Sequence, residues 1–502
     1  MKKTGIMEAV NLLKEKKLLI EANINAAACD ETIEYISYNS QDIKSGTLFF
    51  CKGVHFKEQY LKEAFDKGTI CYVSEKVIVA DKPHIIVSDI RGAMLAISEM
   101  YYGCAWRDKL KLVGVTGTKG KTTTVMMIHS ILEAHCRSHK IGRAGILTGV
   151  YNFDGRETIE SSLTTPETFE LHKILSNCVE NQCSYLAMEV SSQALKYGRT
   201  AGLEYEVAVF LNMGNDHVSE SEHYDMEDYF NSKLKIIDQC RRICINLDMN
   251  PVYMKRIMDY ARKKGCEIIT FGKGPEADYR GILKKGTIDY IEVEAVHGDE
   301  ECSITANIGG KFNAENVMAA VSATKALGIS WDAIKEGIEK VKVPGRMEVF
   351  RIPGRDTTVI ADYAHNDISF EALFQSVNEA FPDKKKVIVF GSSGGRAFNR
   401  RRNLSEIADR EADMIILSEE DCGTEGAEKI CNELRSYISP EKDVKIILDR
   451  EEAVKYALDN CRDGWVIIFA GHSTGDHQVR GEKAVPVACD AKLIREYIES
   501  HR

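Results

Sequence analysis

The chain alternates short apolar runs with longer helical patterns, which is typical of α/β proteins. Several runs are apolar on both faces, as the buried strands of a parallel sheet are. We therefore predict an α/β fold built on parallel sheets. The predicted strands are Leu110–Val115, Tyr185–Val190, Val207–Asn212, Ile243–Leu247, Val359–Ala361, Val387–Phe390, Met414–Leu417 and Val466–Ala470.

Most of these strands end at a polar or glycine-rich cluster. Ligands of open parallel sheets bind beyond the carboxyl ends of the strands, so we expect the chemistry there. A length of 502 residues is too great for one core and favours three domains. We place the boundaries before the strand at Leu110 and at the turn around Pro344. The predicted domains are residues 1–108, 109–342 and 343–502.

Charge and cysteine usage narrow the class of protein. The formal net charge is −10, which argues against nucleic acid as the main partner but allows a local site for anionic small molecules. The 15 cysteines form no CxxC pair, which indicates reduced thiols in the cytosol. Charged residues interrupt the N-terminus, and no apolar run reaches the roughly 20 residues of a membrane span. We expect a cytoplasmic monomer without membrane contact.

A phosphate-binding loop is predicted after the strand that ends at Val115. The letters TGTKGKTTT, residues 116–124, follow this strand and precede a helical pattern. Glycines let backbone N–H groups face phosphate oxygens, Lys121 can reach the β- and γ-phosphates, and Thr122 can ligate Mg²⁺. Val115 stands where the strict motif has glycine. The alternative, a plain glycine-rich turn, is disfavoured by the strand–loop–helix context. The predicted ATP-binding loop is Gly117, Thr118, Lys119, Gly120, Lys121, Thr122 and Thr123.

This loop and seven other blocks, in one order along the chain, resemble the motifs of the Mur ligase family and its folylpolyglutamate synthetase relatives. Each block alone is a weak signal, and the eight together are specific. The blocks after the loop are Leu163–Glu167; Glu189–Ala194 with Arg199; Asn215–His217 with Met226–Tyr229 and Lys233; Phe312–Asn316; Pro344–Glu348; and Asp362–Asn366. In the first domain they are Ser37–Ser40 with Gly46–Phe50 and Lys52–Gly53.

The resemblance implies an N-terminal domain that binds a UDP-linked precursor, a central P-loop ATPase-like domain and a Rossmann-like C-terminal domain. It implies an ATP-dependent ligase of peptidoglycan synthesis that uses Mg²⁺, at two sites, with ATP and a free amino acid. The carboxylate of UDP-N-acetylmuramoyl-L-alanyl-D-glutamate would attack the γ-phosphoryl group, and the amine would then displace phosphate from the acyl phosphate. Three blocks are closer to the lysine-adding branch: Ser192–Ala194, Asp362–Asn366 and Gly391–Gly394.

The resemblance also assigns the catalytic residues. Lys121 would be catalytic, and Glu189 would hold Mg²⁺ together with Thr122. The alternative for this block is an N-cap role, which suits its serines better than Glu189. His217 would hold the second Mg²⁺, although a lone histidine is more often structural. Lys233 would be carbamylated by CO₂ and so become an anionic ligand. Its alternative is a solvated helix lysine, which charge pattern alone favours.

The remaining nucleotide contacts are predicted in the later blocks. Asn316 would bind adenine, with a place in the first turn of a helix as the alternative. Arg346 and Asp362 would contact ribose and phosphate. For Arg346 a surface turn is the alternative reading, whereas Asp362 ends a buried-type strand.

The precursor-binding residues come from the first two domains. Thr164, Thr165, Ser191 and Arg199 would bind the carboxylates and sugar of the muramoyl dipeptide, since arginine suits bidentate carboxylate binding. Ser40 would contact the uridine diphosphate end.

The acceptor pocket departs from the family pattern. Diaminopimelate enzymes carry a DNPR motif whose arginine binds the distal carboxylate, and Gly423 stands in its place. Glu420, Asp421 and Asp476 would bind a side-chain ammonium, with a solvated acidic loop as the alternative. Arg396 would meet the acceptor carboxylate or a phosphate.

Two kinds of rival remain open. One is a related ligase with another precursor or acceptor, such as meso-diaminopimelate or ornithine. The other is a nucleotide-binding partner without catalysis, which the altered acceptor motifs allow. The charge run Arg400–Arg402 fits an anion site or, more commonly, a solvated face.

Overall fold

The computed structural model describes residues 4–53, 56–214, 222–395 and 398–501. His217, with Asn215 and Asp216, and Arg396 lie outside the described residues. Helices and strands alternate along the chain, which confirms the α/β class. All eight predicted strands are present, and two of them, Met414–Leu417 and Val466–Ala470, have the predicted bounds.

The first part of the chain forms seven strands and five helices among its described residues. In chain order they are β1 (Thr4–Gly5), α1 (Ile6–Glu15), β2 (Leu19–Asn23), α2 (Ala26–Cys29), β3 (Thr32–Ile33), β4 (Tyr35–Ser37), β5 (Thr47–Phe50), α3 (Glu58–Asp66), β6 (Thr69–Ser74), β7 (His84–Val87), α4 (Ile90–Tyr102) and α5 (Trp106–Lys109).

The middle of the chain follows with the phosphate loop between its first strand and first helix. The elements are β8 (Lys111–Thr116), α6 (Lys121–His139), β9 (Arg143–Leu147), β10 (Tyr151–Phe153), β11 (Thr158–Glu160), α7 (Thr168–Glu180), β12 (Cys183–Glu189), α8 (Ser192–Lys196), β13 (Tyr205–Phe210), α9 (Met226–Leu234), a 3₁₀-helix (Lys235–Gln239), β14 (Cys240–Asn246), α10 (Pro251–Lys264), β15 (Glu267–Gly272), β16 (Tyr279–Gly286), β17 (Ile291–His297), β18 (Glu300–Ala306), α11 (Asn313–Ala326) and α12 (Trp331–Lys340).

The last part of the chain alternates strands and helices to its end. The elements are β19 (Glu348–Arg351), β20 (Thr358–Asp362), α13 (Asp367–Ala380), β21 (Lys386–Phe390), α14 (Phe398–Glu411), β22 (Met414–Leu417), α15 (Ala427–Ser436), β23 (Asp443–Ile446), α16 (Arg450–Asn460), β24 (Val466–Ala470), β25 (His477–Arg480), β26 (Lys483–Pro486) and α17 (Asp490–Ser500).

Two compact units divide the chain. The first comprises residues 1–116, 140–208 and 231–241, and the second comprises residues 117–139, 209–230 and 242–502. The proposed boundaries near residues 108 and 342 stay predictions.

The first unit contains a five-stranded sheet with the order β2-β7-β6-β5-β4. Its strands β4 to β7 are parallel, and β2 is antiparallel to β7. The unit also contains strands in the order β11-β10-β9-β12-β8, of which β9, β12 and β8 are parallel. In this register Glu189 pairs with Val115, so the end of β12 lies beside the end of the phosphate-loop strand.

The second unit contains the consecutive strands β14 to β18. Strands β14, β15 and β16 are parallel, and β16, β17 and β18 form an antiparallel meander. A six-stranded sheet follows with the order β19-β20-β24-β21-β22-β23, parallel except for β19. Apolar side chains bury both faces of this sheet, as the continuous apolar runs predict. Among the described residues, no helix is long and apolar enough to cross a membrane.

Candidate active site

The end of β12 brings two predicted site residues, Glu189 and Thr164, together in the first unit. Glu189 is 2% exposed, and its Oε1 accepts a hydrogen bond of 2.9 Å from the backbone N–H of Gly149. Thr164 lies beside the same glycine. A carboxylate at the end of a buried strand requires polar partners, because burial without them is costly. Glu189 therefore lies where a strand-end ligand is expected.

Thr165 connects this carboxylate strand to the segment before α7. Its hydroxyl donates to the backbone carbonyl of Glu189 at 2.9 Å and accepts from the backbone N–H of Ser191 at 3.0 Å. Ser191 also caps α8, because its hydroxyl accepts a bond of 3.2 Å from the N–H of Ala194. The N-cap role that was weighed for this region thus falls to the serine, and Glu189 remains the strand-end carboxylate.

Arg199 lies against the same segment. Its NH1 donates a bond of 3.4 Å to the carbonyl of Thr165, and its Nε lies 2.9 Å from Oε1 of Glu167. Lys52 lies 2.7 Å from the other oxygen of Glu167, and Arg91 approaches it at 3.9 Å. Sequence reasoning placed Lys52 only within a motif and assigned no role to Arg91 or Glu167. Because these side chains lie far apart in the sequence, no local pattern indicated that they meet.

Two further predicted residues are buried in the first unit. Ser40 is 8% exposed, and its carbonyl accepts a bond of 2.7 Å from Nζ of Lys67. Lys233 lies in α9 and is 1% exposed, so the alternative of a solvated helix lysine is wrong.

The phosphate loop, in the second unit, has the conformation that its glycines predict. Gly117 and Gly120 have φ values of +156° and +84°, and α6 begins at Lys121. Nζ of Lys121 donates to the carbonyls of Gly117 and Thr118 at 3.0 and 3.3 Å. The side chain of Lys121 thus lies over the loop with its ammonium group, and the start of α6 adds the positive end of a helix dipole. These features suit the binding of phosphate.

Asn212 holds the loop in place, a role that the sequence did not reveal. Its Oδ1 accepts hydrogen bonds from the N–H groups of Thr118 and Lys119 at 3.0 and 2.9 Å. Its Nδ2 donates to the carbonyl of Lys119 at 3.2 Å. The only available signal was its position just after a buried strand, β13. Tyr229 adds a bond of 3.2 Å from its hydroxyl to that of Thr118.

Asn316 packs against the loop rather than standing apart from it. Its Oδ1 accepts a bond of 3.3 Å from Thr124, and its Nδ2 donates to Asn313 at 2.8 Å. A Cβ atom at Gly120 would overlap Oδ1 of Asn316, so only glycine fits this close approach. Asn316 lies in the first turn of α11, so the alternative of a helical position is confirmed. This position is compatible with the predicted contact to the nucleotide.

Arg346 and Asp362 lie close together at the start of the C-terminal sheet. Asp362 accepts hydrogen bonds from the N–H groups of Met347 and Ala364 at 2.7 and 2.8 Å. Burial raises the pKa of Asp362, while the charge of Arg346 and these two N–H groups oppose the rise. The guanidinium of Arg346 lies 4.4 Å over the ring of Tyr363. The structure therefore brings the turn that carries Arg346 beside the end of β20, where Asp362 lies.

Glu420 lies at the carboxyl ends of three adjacent parallel strands, β24, β21 and β22. A Cβ atom at Gly471 would overlap its carboxylate, and one at Gly391 would crowd its Cβ. Burial raises the pKa of Glu420 to about 7, while the charge of Arg450 lowers it. A carboxylate placed between glycines at a strand-end crevice is suited to a cation.

The other predicted acceptor residues differ from Glu420. Asp421 has a φ of +45°, and its Oδ1 accepts a bond of 3.0 Å from the N–H of Val479, so it anchors the β25 segment. Asp476 is exposed. Gly423 forms an isolated parallel β-bridge with Arg480 of the same segment.

The charge run in α14 is only partly a solvated face. Arg401 is fully buried and forms two bonds with Glu425, of 3.0 and 2.7 Å, and one with Glu433 of 2.5 Å. It also donates to the carbonyl of Ser393 at 3.2 Å. The pKa of Glu425 is lowered chiefly by its bond with Arg401. Arg401 thus holds the loop after β21 in place, and the prediction of a solvated face is wrong for this residue.

Two family models match the chain. The model of the Mur ligase middle domain matches residues 115–324, and that of the Mur ligase, glutamate ligase domain, matches residues 345–473.

The chain is also similar to two curated proteins, each named UDP-N-acetylmuramoyl-L-alanyl-D-glutamate–L-lysine ligase. The protein of Enterococcus faecalis is 34% identical over 469 residues, covering 92% of this chain and 91% of its own. That of Streptococcus thermophilus is 34% identical over 469 residues, covering 93% of each. A solved UDP-N-acetylmuramoyl-L-alanyl-D-glutamate–2,6-diaminopimelate ligase matches with a TM-score of 0.63 and 21% identity over 99% of both chains, which shows the shared fold.

Proposed function

This chain belongs to the Mur ligase family of ATP-dependent ligases, and from that premise we propose its reaction. It joins the D-glutamyl carboxylate of UDP-N-acetylmuramoyl-L-alanyl-D-glutamate to an amine of L-lysine. The carboxylate oxygen attacks the γ-phosphorus and releases ADP. The amine nitrogen then attacks the acyl carbon, loses a proton and releases phosphate. This reaction supplies a precursor of peptidoglycan synthesis.

The observation that carries the proposal is the network at the end of β12. Residues predicted to bind the precursor come from separate segments, yet the hydroxyl of Thr165 bonds with the backbone of Glu189 and Ser191, and its carbonyl accepts a bond from the side chain of Arg199. Apolar packing by itself does not require polar side chains to meet at this strand end. Buried polar groups need hydrogen-bond partners, and a satisfied network of them fixes a specific local geometry. The network therefore supports a polar ligand at this strand end.

ATP fits the second unit. The phosphate loop presents Lys121 beside the start of α6 and is held by Asn212. Together, an ammonium and a helix start favour the triphosphate. Asn316 and Arg346 would then hold the base and ribose, as the family motifs predict.

The protein's oxygen donors fit Mg²⁺. Among the described residues no group of three or more His, Cys, Asp or Glu side chains could hold a metal ion. Mg²⁺ is commonly held by one or two carboxylates together with substrate phosphates, and its preferred ligands are oxygens. Thr122 and Glu189 are two of the oxygen donors that the family motifs predict. Bound Mg²⁺ would neutralise charge between the two anionic reactants.

Lys233 is proposed to be carbamylated, as the family motif predicts. Its amine would add to CO₂ and lose a proton to give an anionic carbamate. Lys233 is 1% exposed, so a carbamate there would need a cationic partner. Carbon-13 labelled bicarbonate should produce a carbamate signal in the wild type that is absent from Lys233→Ala.

L-Lysine is the proposed acceptor for two reasons. Glu420 supplies a carboxylate suited to a side-chain ammonium, and Gly423 supplies no cation for a distal carboxylate. The curated relatives named above carry the same acceptor in their names. The enzyme is proposed to act as a cytoplasmic monomer, which gel filtration and cell fractionation can test.

The test is phosphate release by purified protein with ATP, Mg²⁺ and the UDP-linked precursor. L-Lysine, L-ornithine and meso-diaminopimelate are added in turn, and product mass is measured. Release that depends on L-lysine, with a product heavier by one lysine residue, is expected. Lys121→Met, which removes the loop ammonium at similar size, is the matched control and should be inactive.

Other outcomes correct the proposal in distinct ways. Release that depends on meso-diaminopimelate or ornithine would replace the acceptor and keep the reaction. Protein that binds ATP but releases no phosphate with any acceptor would favour a non-catalytic nucleotide-binding partner.

A further inference from the structure

Three cationic side chains in the first unit surround one carboxylate. Lys52, Arg199 and Arg91 approach the oxygens of Glu167 at 2.7, 2.9 and 3.9 Å. Glu167 is 7% exposed and stands at the N-cap of α7. The cations come from three other segments: the loop after β5, the helix α4 and the turn after α8. A second carboxylate, that of Glu170, accepts a bond of 2.9 Å from Tyr38 and interacts electrostatically with Lys52. The cluster therefore contains three cations and two carboxylates, and its net charge is positive.

Glu167 keeps these cations charged and close together. Burial lowers the pKa of Lys52, the charge of Glu167 raises it, and the charges of Arg91 and Arg199 lower it further. Nζ of Lys52 also lies 4.0 Å over the ring of Tyr38. Without Glu167, three cations would face one another in a poorly solvated region, where like charges disfavour the charged form.

The cluster is not saturated by its internal partners. Nε of Arg199 lies 2.9 Å from Oε1 of Glu167 but forms no hydrogen bond of good geometry among the described residues. Among those residues, Arg199 donates one hydrogen bond, of 3.4 Å, to the carbonyl of Thr165. Buried donors without well-aligned acceptors indicate a place for a ligand. Because the net charge of the cluster is positive, that ligand is an anion.

We propose that Glu167 is a positioning residue that holds Lys52 and Arg199 in place to bind an anionic group of the UDP-linked precursor. This inference rests on the proposed function for the identity of the ligand. Glu167 itself is buried, and we infer that it acts through the two cations rather than by touching the ligand. The diphosphate and the peptide carboxylates share the required chemistry, and UDP alone distinguishes them.

The test is Glu167→Gln, which removes the charge at constant size. We expect KM for the precursor to rise about tenfold to a hundredfold, as when a hydrogen bond to a charged group is lost. KM for ATP and for the amino acid should change less than about twofold, because their sites lie in other segments. Glu167→Asp, which keeps the charge, should recover part of the loss.

A double variant separates positioning from a general structural role. If Glu167 acts through Arg199 and Lys52, Glu167→Gln should raise KM less in an Arg199→Ala background than it does alone, because the part of its effect that passes through Arg199 is already lost. In Glu167→Gln, KM for the precursor should also rise more steeply with increasing pH than in the wild type, since Lys52 loses its proton more easily once the charge of Glu167 is gone.

Several results would overturn the inference. They are an unchanged or lower KM for the precursor, an equal rise in KM for ATP, and full additivity with Arg199→Ala. If the wild type releases no phosphate, the proposed function fails, and calorimetric binding of the precursor then tests the inference by itself. Weaker binding by Glu167→Gln supports it, whereas equal binding, or none by the wild type, refutes it. A matching loss of UDP affinity would identify the diphosphate as the bound group.

Discussion

Mild acid should destabilise the first unit through His172. This residue lies in α7, is 1% exposed and packs edge-on against Trp106, with ring centroids 6.1 Å apart. Burial, with a smaller effect from the charge of Arg107, lowers the pKa of His172 from 6.5 to about 4. The folded state therefore resists a proton that the unfolded state accepts.

The direction and magnitude of this effect of pH on the free energy of unfolding follow from proton linkage. A histidine with a lowered folded-state pKa contributes its full stability above the unfolded value of 6.5, and that stability is lost as pH falls toward about 4. The shift corresponds to about 3 kcal/mol. Integration between the two values gives a loss of about 2 kcal/mol by pH 5.

The variant His172→Leu isolates this effect. Neither ring nitrogen of His172 has a hydrogen-bond partner among the described residues, so leucine, of similar volume, removes no hydrogen bond. Urea unfolding at pH 7 and pH 5, followed by tryptophan fluorescence, measures the change. We expect the wild type to lose about 2 kcal/mol more than the variant over this interval. His139→Leu, at an exposed histidine, should behave as the wild type. Equal losses in the wild type and His172→Leu would refute the reasoning.

Three more predictions concern the second unit. Asn212→Ala should raise KM for ATP about tenfold, because three hydrogen bonds to the loop are lost; an unchanged KM would exclude this role. Arg450→Ala should destabilise the protein by about 3–5 kcal/mol in thermal or urea unfolding, since it leaves the buried carboxylate of Asp490 unpaired; a smaller loss in Asp490→Ala would contradict a mutual pair. KM for the acceptor should fall as pH rises through about 7, as Glu420 ionises, and Glu420→Gln should remove this dependence in steady-state assays.

The fold class and the family could be predicted from the sequence alone. Strands buried on both faces require continuous apolar runs, and such runs are visible at Val387–Phe390 and Val466–Ala470. The phosphate loop is also local, because its glycines, Lys121 and Thr122 follow one another directly. The order of the motif blocks identified the Mur ligase family, and similarity over most of the chain confirms it.

Only the tertiary structure decided which polar groups meet. Asn212 binds loop residues 94 and 93 positions earlier, and Glu167 gathers cations from three separate segments. Arg401, part of a run that resembles a solvated face, is buried in an ion-pair network. Such pairings leave no periodic signal, because a charge has the same letter whether it faces water or a partner. The sequence determined the chemical type of each side chain. The packing of distant strands and helices decided which partner that side chain contacts.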